Sequence, residues 1–492
     1  MPATLADLWF DRARTQADDL AADDGTRRVS WGELLRLADG AAERLATAGV
    51  GAGDVVVLQG RNTVEWVVTA GAVHLLGAAL APLGSEEPAA ARQEYAVRVG
   101  ARAVVAEHPA AGELALSAVQ PGDLDAGTLP PRRANPAASA VAVVLATSGT
   151  AGHRQWVAME HAVLIRMYDD VAGLLDMASG DRLLGIVPLA HSFGFNGLLV
   201  LALLSGASLR LVPDRDRDAL AGLVRESAAT IVAGPPALLH DLAAAVRAGE
   251  SLGPQVRLFM TGATEIRPSA LLPLAAEVGI PRVSAGYGLT QTCGTVALCP
   301  NIAQASDGAH VPMTVLPGVE VAVLDAVGRP VPPGTRGRVL TRGYHVAVPV
   351  GDDGWFVTGD EGHLHPDGSL CVTGRVDDQL VVSGFNVDPV RVELALERSP
   401  LVARAAVVGV PDPRSGHRLV AVVVPADGVD AAGRNEAAVL ADARAVLTGY
   451  EVPRTVVWVD ALPHTTTGKL SRAAVRGLLA EHLTDQEHVQ EA

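Results

Sequence analysis

Residues 141–156 read VAVVLATSGTAGHRQW, an apolar, β-branched run that passes directly into a loop of hydroxyl residues and glycines. Val141–Ala146 has the make-up of a buried strand. Thr147, Ser148, Gly149, Thr150, Ala151 and Gly152 then let successive backbone N–H groups and hydroxyls face one small volume. Such a nest carries fixed partial positive charge and suits an oligophosphate. An ordinary strand-to-helix turn has the same composition, so the loop alone leaves both readings open. A Walker loop is excluded, because Gly152 is followed by His153, Arg154 and Gln155. The dinucleotide-binding glycine pattern is absent as well.

The rest of the chain has to discriminate. Its 492 residues exceed one hydrophobic core, so two or more domains are expected. With 49% apolar and 19% charged residues it is globular. A net charge of −16 argues against nucleic-acid and anionic-membrane partners. Cys293, Cys299 and Cys371 form no CxxC pair, which predicts a reducing, cytoplasmic setting. The N-terminus lacks a basic-then-apolar start, so no signal peptide is expected. Two long uncharged runs, Trp66–Ser85 and Leu183–Leu209, contain Gly, Pro and His and read as buried elements of a large α/β domain. In order, the pattern predicts helical segments over Leu5–Asp54 with a Ser30/Glu33 capping box, a strand at Val55–Leu58 and a buried helix at Glu65–Leu76. Glu107–Ser139 reads as a surface connection. His363 and His365 alternate as on one strand face and so can approach a metal. No third ligand is evident, and a solvated strand is expected there.

The loop resembles TSG(S/T)TGxPKG, the phosphate loop of the adenylate-forming superfamily of acyl-CoA synthetases, adenylation domains and luciferase. Further segments resemble that family in the same order: IVPLAHSFGFNG (186–197), LFMTGA (258–263), GYGLTQTCG (286–294), WFVTGDEG (355–362), TGRVDDQLVVSGFNVDPVRVE (373–393) and LPHTTTGKLSR (462–472). The resemblance implies that Thr147, Ser148, Gly149, Thr150, Gly152, Arg154 and Gln155 border the ATP phosphates. Gly262 and Ala263 would lie along adenine, with Tyr287 stacked on it beside Gly288. Thr290 would donate to the α-phosphate, and Asp360 and Arg375 would hold the ribose; a carboxylate accepts from both vicinal hydroxyls. Lys469 would be the catalytic lysine and Asp377 the hinge. His191 would flank the acyl group, with Phe193, Phe195, Asn196 and Gly286 around the substrate, and Ser383, Gly384 and Phe385 on the CoA side. No carboxylate lies between Asp181 and Asp214 to pair an ammonium, which disfavours an amino-acid substrate.

Four departures stand out. Gln155 replaces the phosphate-loop lysine, and Gln291 replaces the glutamate that holds Mg2+ in relatives. One positive and one negative charge are thereby lost together, which suggests mutual compensation. The segment between Gly343 and Trp355 is shorter than in relatives, and Glu451 occupies a basic position. The implied fold is α/β: a large multilayered N-terminal domain (residues 1–376, two αβ subdomains and a β-rich lobe) and a small mobile α+β domain (377–492). The implied activity is ATP- and Mg2+-dependent adenylation of a carboxylic acid, then transfer to a thiol, CoA. Alternatives are a divergent biosynthetic enzyme with an amine or carrier-protein acceptor or a small oxyanion such as nitrite as substrate, and a nucleotide-binding protein that has lost catalysis. The resemblance also admits a homodimer.

Overall fold

A computed structural model describes residues 3–120, 129–130, 132–134, 136–146, 155–213, 219–253, 255–262, 266–305, 310–376, 380–382, 385–387, 389–412, 416–447, 449, 451–464 and 470–479. The described strands form four sheets. A six-stranded sheet runs in the order Leu114–Ala115, Ala101–Ala106, Val55–Gln59, Ala79–Leu83, Val141–Ala146, Trp156–Glu160. Its first five strands are parallel, and Trp156–Glu160 returns antiparallel, with Ala146 opposite Trp156. The glycine-rich loop therefore closes a hairpin between two strands instead of leading from a strand into a helix.

A nine-stranded sheet carries a parallel centre, Ser208–Leu211, Arg182–Gly185, Ile231–Ala233, Leu258–Gly262 and Val283–Leu289, bordered by antiparallel Gly294–Cys299. Parallel strands need both faces covered. The largest core supplies this between the two sheets, where Val56, Leu58 and Leu80 of one and Leu183, Leu209 and Ile231 of the other share a helical layer. Trp9, Trp31 and Trp66, from helices Leu5–Thr15, Trp31–Thr47 and Val64–Leu75, are fully enclosed there. The helix starts follow capping rules: Thr4 accepts from Asp7 N–H, Ser30 from Glu33 N–H and Thr63 from Trp66 N–H. The run Trp66–Ser85 falls in the helix Val64–Leu75 and the strand Ala79–Leu83, and Leu183–Leu209 in two strands joined by helical segments over 192–205; among the described residues no helix is long and apolar enough to cross a membrane.

The same layer encloses two histidines. Trp9 donates to His74 Nδ1 (3.4 Å), Leu5 N–H donates to His161 Nδ1 (3.1 Å), and the two rings meet edge-on at 5.9 Å. Burial pulls His74 down to about 3, aided by its neighbour, and His161 to about 4.

The β-rich lobe is a four-stranded antiparallel sheet, Val319–Leu324, Gly337–Gly343, Phe356–Leu364 and Leu370–Arg375. The small domain is built on Val402–Asp412 and Gly416–Pro425. Ala405 and Val407 pack on one face of that pair, and Ala406 and Val408 on the other. Across the junction, Arg267 of the large domain pairs with Glu393, and with Glu397 at 3.0 Å. Glu393 is fully buried and also accepts from Arg472 (2.9 and 3.1 Å) and from Val407 N–H (2.7 Å), both in the small domain.

Candidate active site

The site grows from the end of the strand Val283–Leu289. Gly286 lies opposite Gly262 of the parallel neighbour, so two residues without side chains leave the sheet surface open beside Tyr287. A register shift between Tyr287 and Gly288 bends the strand there, as bulges do where a side chain must be re-aimed. Gly288 allows the close approach of the next strand: a Cβ at that position would lie 1.5 Å from Gly294 O.

Tyr287 donates its hydroxyl to Asp360 Oδ2 at 2.6 Å. Asp360 Oδ1 accepts from Arg375 at 2.9 Å, and Arg375 also donates to Thr358 O at 3.2 Å. Asp360 and Arg375 face each other across the antiparallel ladder of Phe356–Leu364 with Leu370–Arg375. Gly359, at φ +76°, lets the guanidinium close over the turn; a Cβ there would sit 2.7 Å from Arg375 Nη2. Burial first, then the Asp360 charge, holds the Tyr287 phenol well above its ordinary value, so it stays protonated and donates. A carboxylate has about four lone-pair positions. Tyr287 and Arg375 thus orient Asp360, a group of the kind that can accept from both hydroxyls of a vicinal diol.

Thr290 and Gln291 follow immediately, in the single turn Thr290–Thr292 that ends at Cys293 in the left-handed region (φ 54°). Asn196 fastens this turn, donating to Cys293 O at 3.0 Å and approaching Ser192 Oγ at 3.2 Å. Asn196 and Phe195 are fully buried, and Phe195 packs edge-on against His74. Both therefore support the turn and the core in this structure and do not line an open cleft. His191 is half-buried and caps the turn it precedes, its Nδ1 accepting from Phe193 N–H at 3.2 Å. In the neutral ring the proton then sits on Nε2. Asn62 clips this segment to the first sheet through Val187 O (3.0 Å) and Leu189 N–H (2.9 Å).

The two glutamines that break the family pattern touch. Gln291 Nε2 donates to Gln155 Oε1 at 3.3 Å, which joins the glycine-rich hairpin to the Thr290–Thr292 turn. The shortened segment after Gly343 meets the same place, where Ala347 N–H donates to Gln291 O at 2.9 Å. With its amide nitrogen on Gln155, Gln291 keeps a carbonyl oxygen, a neutral and weak ligand for a hard cation. That donor fits a Mg2+ carried mainly by nucleotide phosphates.

Thr147, Ser148, Gly149, Thr150, Gly152, Arg154, Ala263, Asp377, Ser383, Gly384 and Lys469 lie outside the described residues. Phe385 is placed by its backbone alone, at the start of the strand Phe385–Val387. Thr358, Asn62 and Ala347 escaped the sequence reading. They act through backbone or supporting contacts; only Thr358 lies inside a quoted segment, WFVTGDEG (355–362), where it was given no role.

Comparison with known proteins identifies this arrangement. A family model described as AMP-binding enzyme matches residues 9–348, and one for the AMP-binding enzyme C-terminal domain matches residues 391–469. The chain is 32% identical to a 3-[(3aS,4S,7aS)-7a-methyl-1,5-dioxo-octahydro-1H-inden-4-yl]propanoyl:CoA ligase of Mycobacterium tuberculosis, over 97% of this chain and 98% of that one. It is 30% identical to a feruloyl-CoA synthase of Amycolatopsis, over 94% and 97% respectively. The fold matches the crystal structure of the anthranilate CoA ligase AuaEII in complex with anthranoyl-AMP with a TM-score of 0.85, at 22% identity over 98% and 99% of the two chains. The chain belongs to the AMP-binding enzyme family and is an AMP-forming, acyl-CoA synthetase-like ligase.

Proposed function

We propose that the protein converts a bulky, ring-bearing carboxylic acid into its CoA thioester through an acyl-adenylate. The observation that carries the reading is the Tyr287–Asp360–Arg375 cluster, a preformed acceptor for a ribose diol at the end of a glycine-lined strand. Ring-bearing acids are favoured because the two relatives named above are a ligase for an indane-type propanoate and a feruloyl-CoA synthase.

In the first step a carboxylate oxygen attacks the α-phosphorus of ATP, and the bond to pyrophosphate breaks. Two anions must meet, so positive potential at the α-phosphate is the main requirement. Thr290 supplies a hydroxyl donor at the turn, and Lys469 is assigned the cationic role by its place in the motif. Mg2+, when bound, neutralises phosphate charge, with Gln291 as its one neutral ligand among the site residues described. In the second step the CoA sulfur attacks the acyl carbon as a thiolate, its proton having passed to solvent, and AMP leaves with the bonding pair. Asp377 is proposed as the hinge between the two steps, with Ser383, Gly384 and Phe385 bordering the thiol. His191, Phe193 and Gly286 are proposed at the acyl group.

The test is AMP release from ATP and Mg2+ over a panel of cyclic, aromatic and fatty acids and nitrite. Each is run with CoA, with an aromatic amine, or without acceptor, beside Lys469→Ala. CoA-dependent turnover with ring-bearing acids, abolished in Lys469→Ala, is expected. Turnover that needs an amine and ignores CoA would overturn the acceptor, and preference for linear fatty acids would overturn the substrate class.

A further inference from the structure

The hairpin that carries Asp360 and Arg375 has a second cluster toward its other end. Phe356–Leu364 and Leu370–Arg375 pair antiparallel, with His363 directly opposite Cys371 and Leu364 opposite Leu370. His365 N–H closes the turn on Ser369 O at 2.9 Å. Residues i and i+2 of a strand share a face, and so do directly opposed residues. His363, His365 and Cys371 therefore converge, and their ligand atoms lie within 4.8 Å of one another. The two imidazole rings stand 5.0 Å apart.

This set differs in kind from a patch of exposed charge. Cys371 is fully buried, both histidines are half-buried, and His365 Nε2 is a buried ring nitrogen with no hydrogen-bond partner among the described residues. Leaving a buried nitrogen unsatisfied is costly, and a metal ion would satisfy it. We propose that His363, His365 and Cys371 form a binding site for a zinc-class transition ion, separate from the nucleotide site. Two imidazoles and one thiolate are borderline-to-soft donors, which favour Zn2+ over the hard Mg2+ of the ATP site. Tetrahedral zinc, with bonds of about 2.0–2.3 Å, needs ligand atoms roughly 3.3–3.7 Å apart. Side-chain rotation over about an ångström closes the difference. Cys371 loses its thiol proton to solvent on binding, and a water completes the coordination.

The position gives the site a consequence. Cys371 lies four residues along its strand from Arg375, about 13 Å at the usual rise. An ion there would clip together the two strands whose other end aligns the ribose acceptor.

The experiment uses the full chain without a histidine tag, stripped by a chelator, dialysed, and titrated with Zn2+ against a chromophoric competitor in the absence of nucleotide. One equivalent is expected to bind. Cys371→Ser and His365→Ala should each weaken binding at least about tenfold, the low end of what loss of even an outer-shell partner does. Substitution with Co2+ should give a thiolate-to-metal charge-transfer band in the wild type and His365→Ala, and none in Cys371→Ser. Urea unfolding of both variants checks that they fold. His365 stands at the hairpin turn, so His365→Ala keeps the test valid if the buried Cys371→Ser does not fold. Equal affinity in wild type and His365→Ala, or no thiolate band in the wild type, overturns the proposal.

Discussion

At Tyr287 a single hydroxyl orients the carboxylate on which nucleotide binding is proposed to depend. Tyr287→Phe removes one donor from Asp360 and should raise KM for ATP up to about tenfold, the net worth of one hydrogen bond. Asp360→Asn also removes the countercharge of Arg375 and should cost more. Equal KM values for Tyr287→Phe and wild type in steady-state kinetics would remove Tyr287 from the clamp. The contact between Gln291 and Gln155 makes their compensation testable at the same scale. Gln155→Lys or Gln291→Glu alone should weaken ATP binding more than the double substitution, with a coupling of at least about 0.5 kcal/mol. Additive effects by calorimetry would sink that idea. The sequence put Asp360 and Arg375 on one ribose, and the structure pairs them; it assigned Tyr287 only to adenine, and the hydroxyl contact with Asp360 had no signal there. The joint departure of Gln155 and Gln291 was legible as a charge compensation, but their direct contact was not, since it forms only when a hairpin docks on a turn.

Among the elements, the buried helical layer makes stability depend on pH. His74 and His161 titrate near 6.5 in the unfolded chain and at about 3 and 4 in the fold. Below 6.5 the unfolded chain binds more protons, so stability falls as pH falls toward those values and is flat above 6.5. Each group contributes on the order of 1 kcal/mol per pH unit in that window. Urea midpoints at several values from pH 7.5 to 5 should show the decline, and His161→Gln should flatten part of it; an unchanged slope in the variant would clear His161. The strands Val141–Ala146 and Val55–Gln59 were readable from their valine runs. The hairpin holding His363 and Cys371 was also within reach: the Pro-Asp-Gly turn at 366–368, counted outward, sets 365 against 369 and 363 against 371. One strand alone shows only the two histidines; the third ligand, Cys371, lies across the turn. By contrast, the return of Trp156–Glu160 antiparallel to Val141–Ala146 had no local signal, since the intervening glycines suit a helix start equally well.

For the whole molecule, the junction of large and small domains turns on one carboxylate. Glu393→Ala leaves Arg267 and Arg472 facing each other without an anion between them. It should destabilise by about 3–5 kcal/mol, the loss typical of a broken buried pair. Arg267→Ala should have a much smaller effect on denaturant unfolding, because Glu393 keeps Arg472 and Val407 N–H, and Glu397 keeps Ala405 N–H at 3.0 Å. Comparable losses in the two variants would contradict this asymmetry. No motif in the sequence points to this contact, whose cation comes from a helix N-cap about 126 residues upstream of its partner. If the domains part, Glu393 keeps Arg472 and Val407 N–H, and the charge that loses Glu393 and Glu397 is Arg267 on the large-domain side, which turns to water. The clasp is therefore asymmetric: opening it would rehydrate one guanidinium, whereas the Glu393 carboxylate is already countered within its own domain.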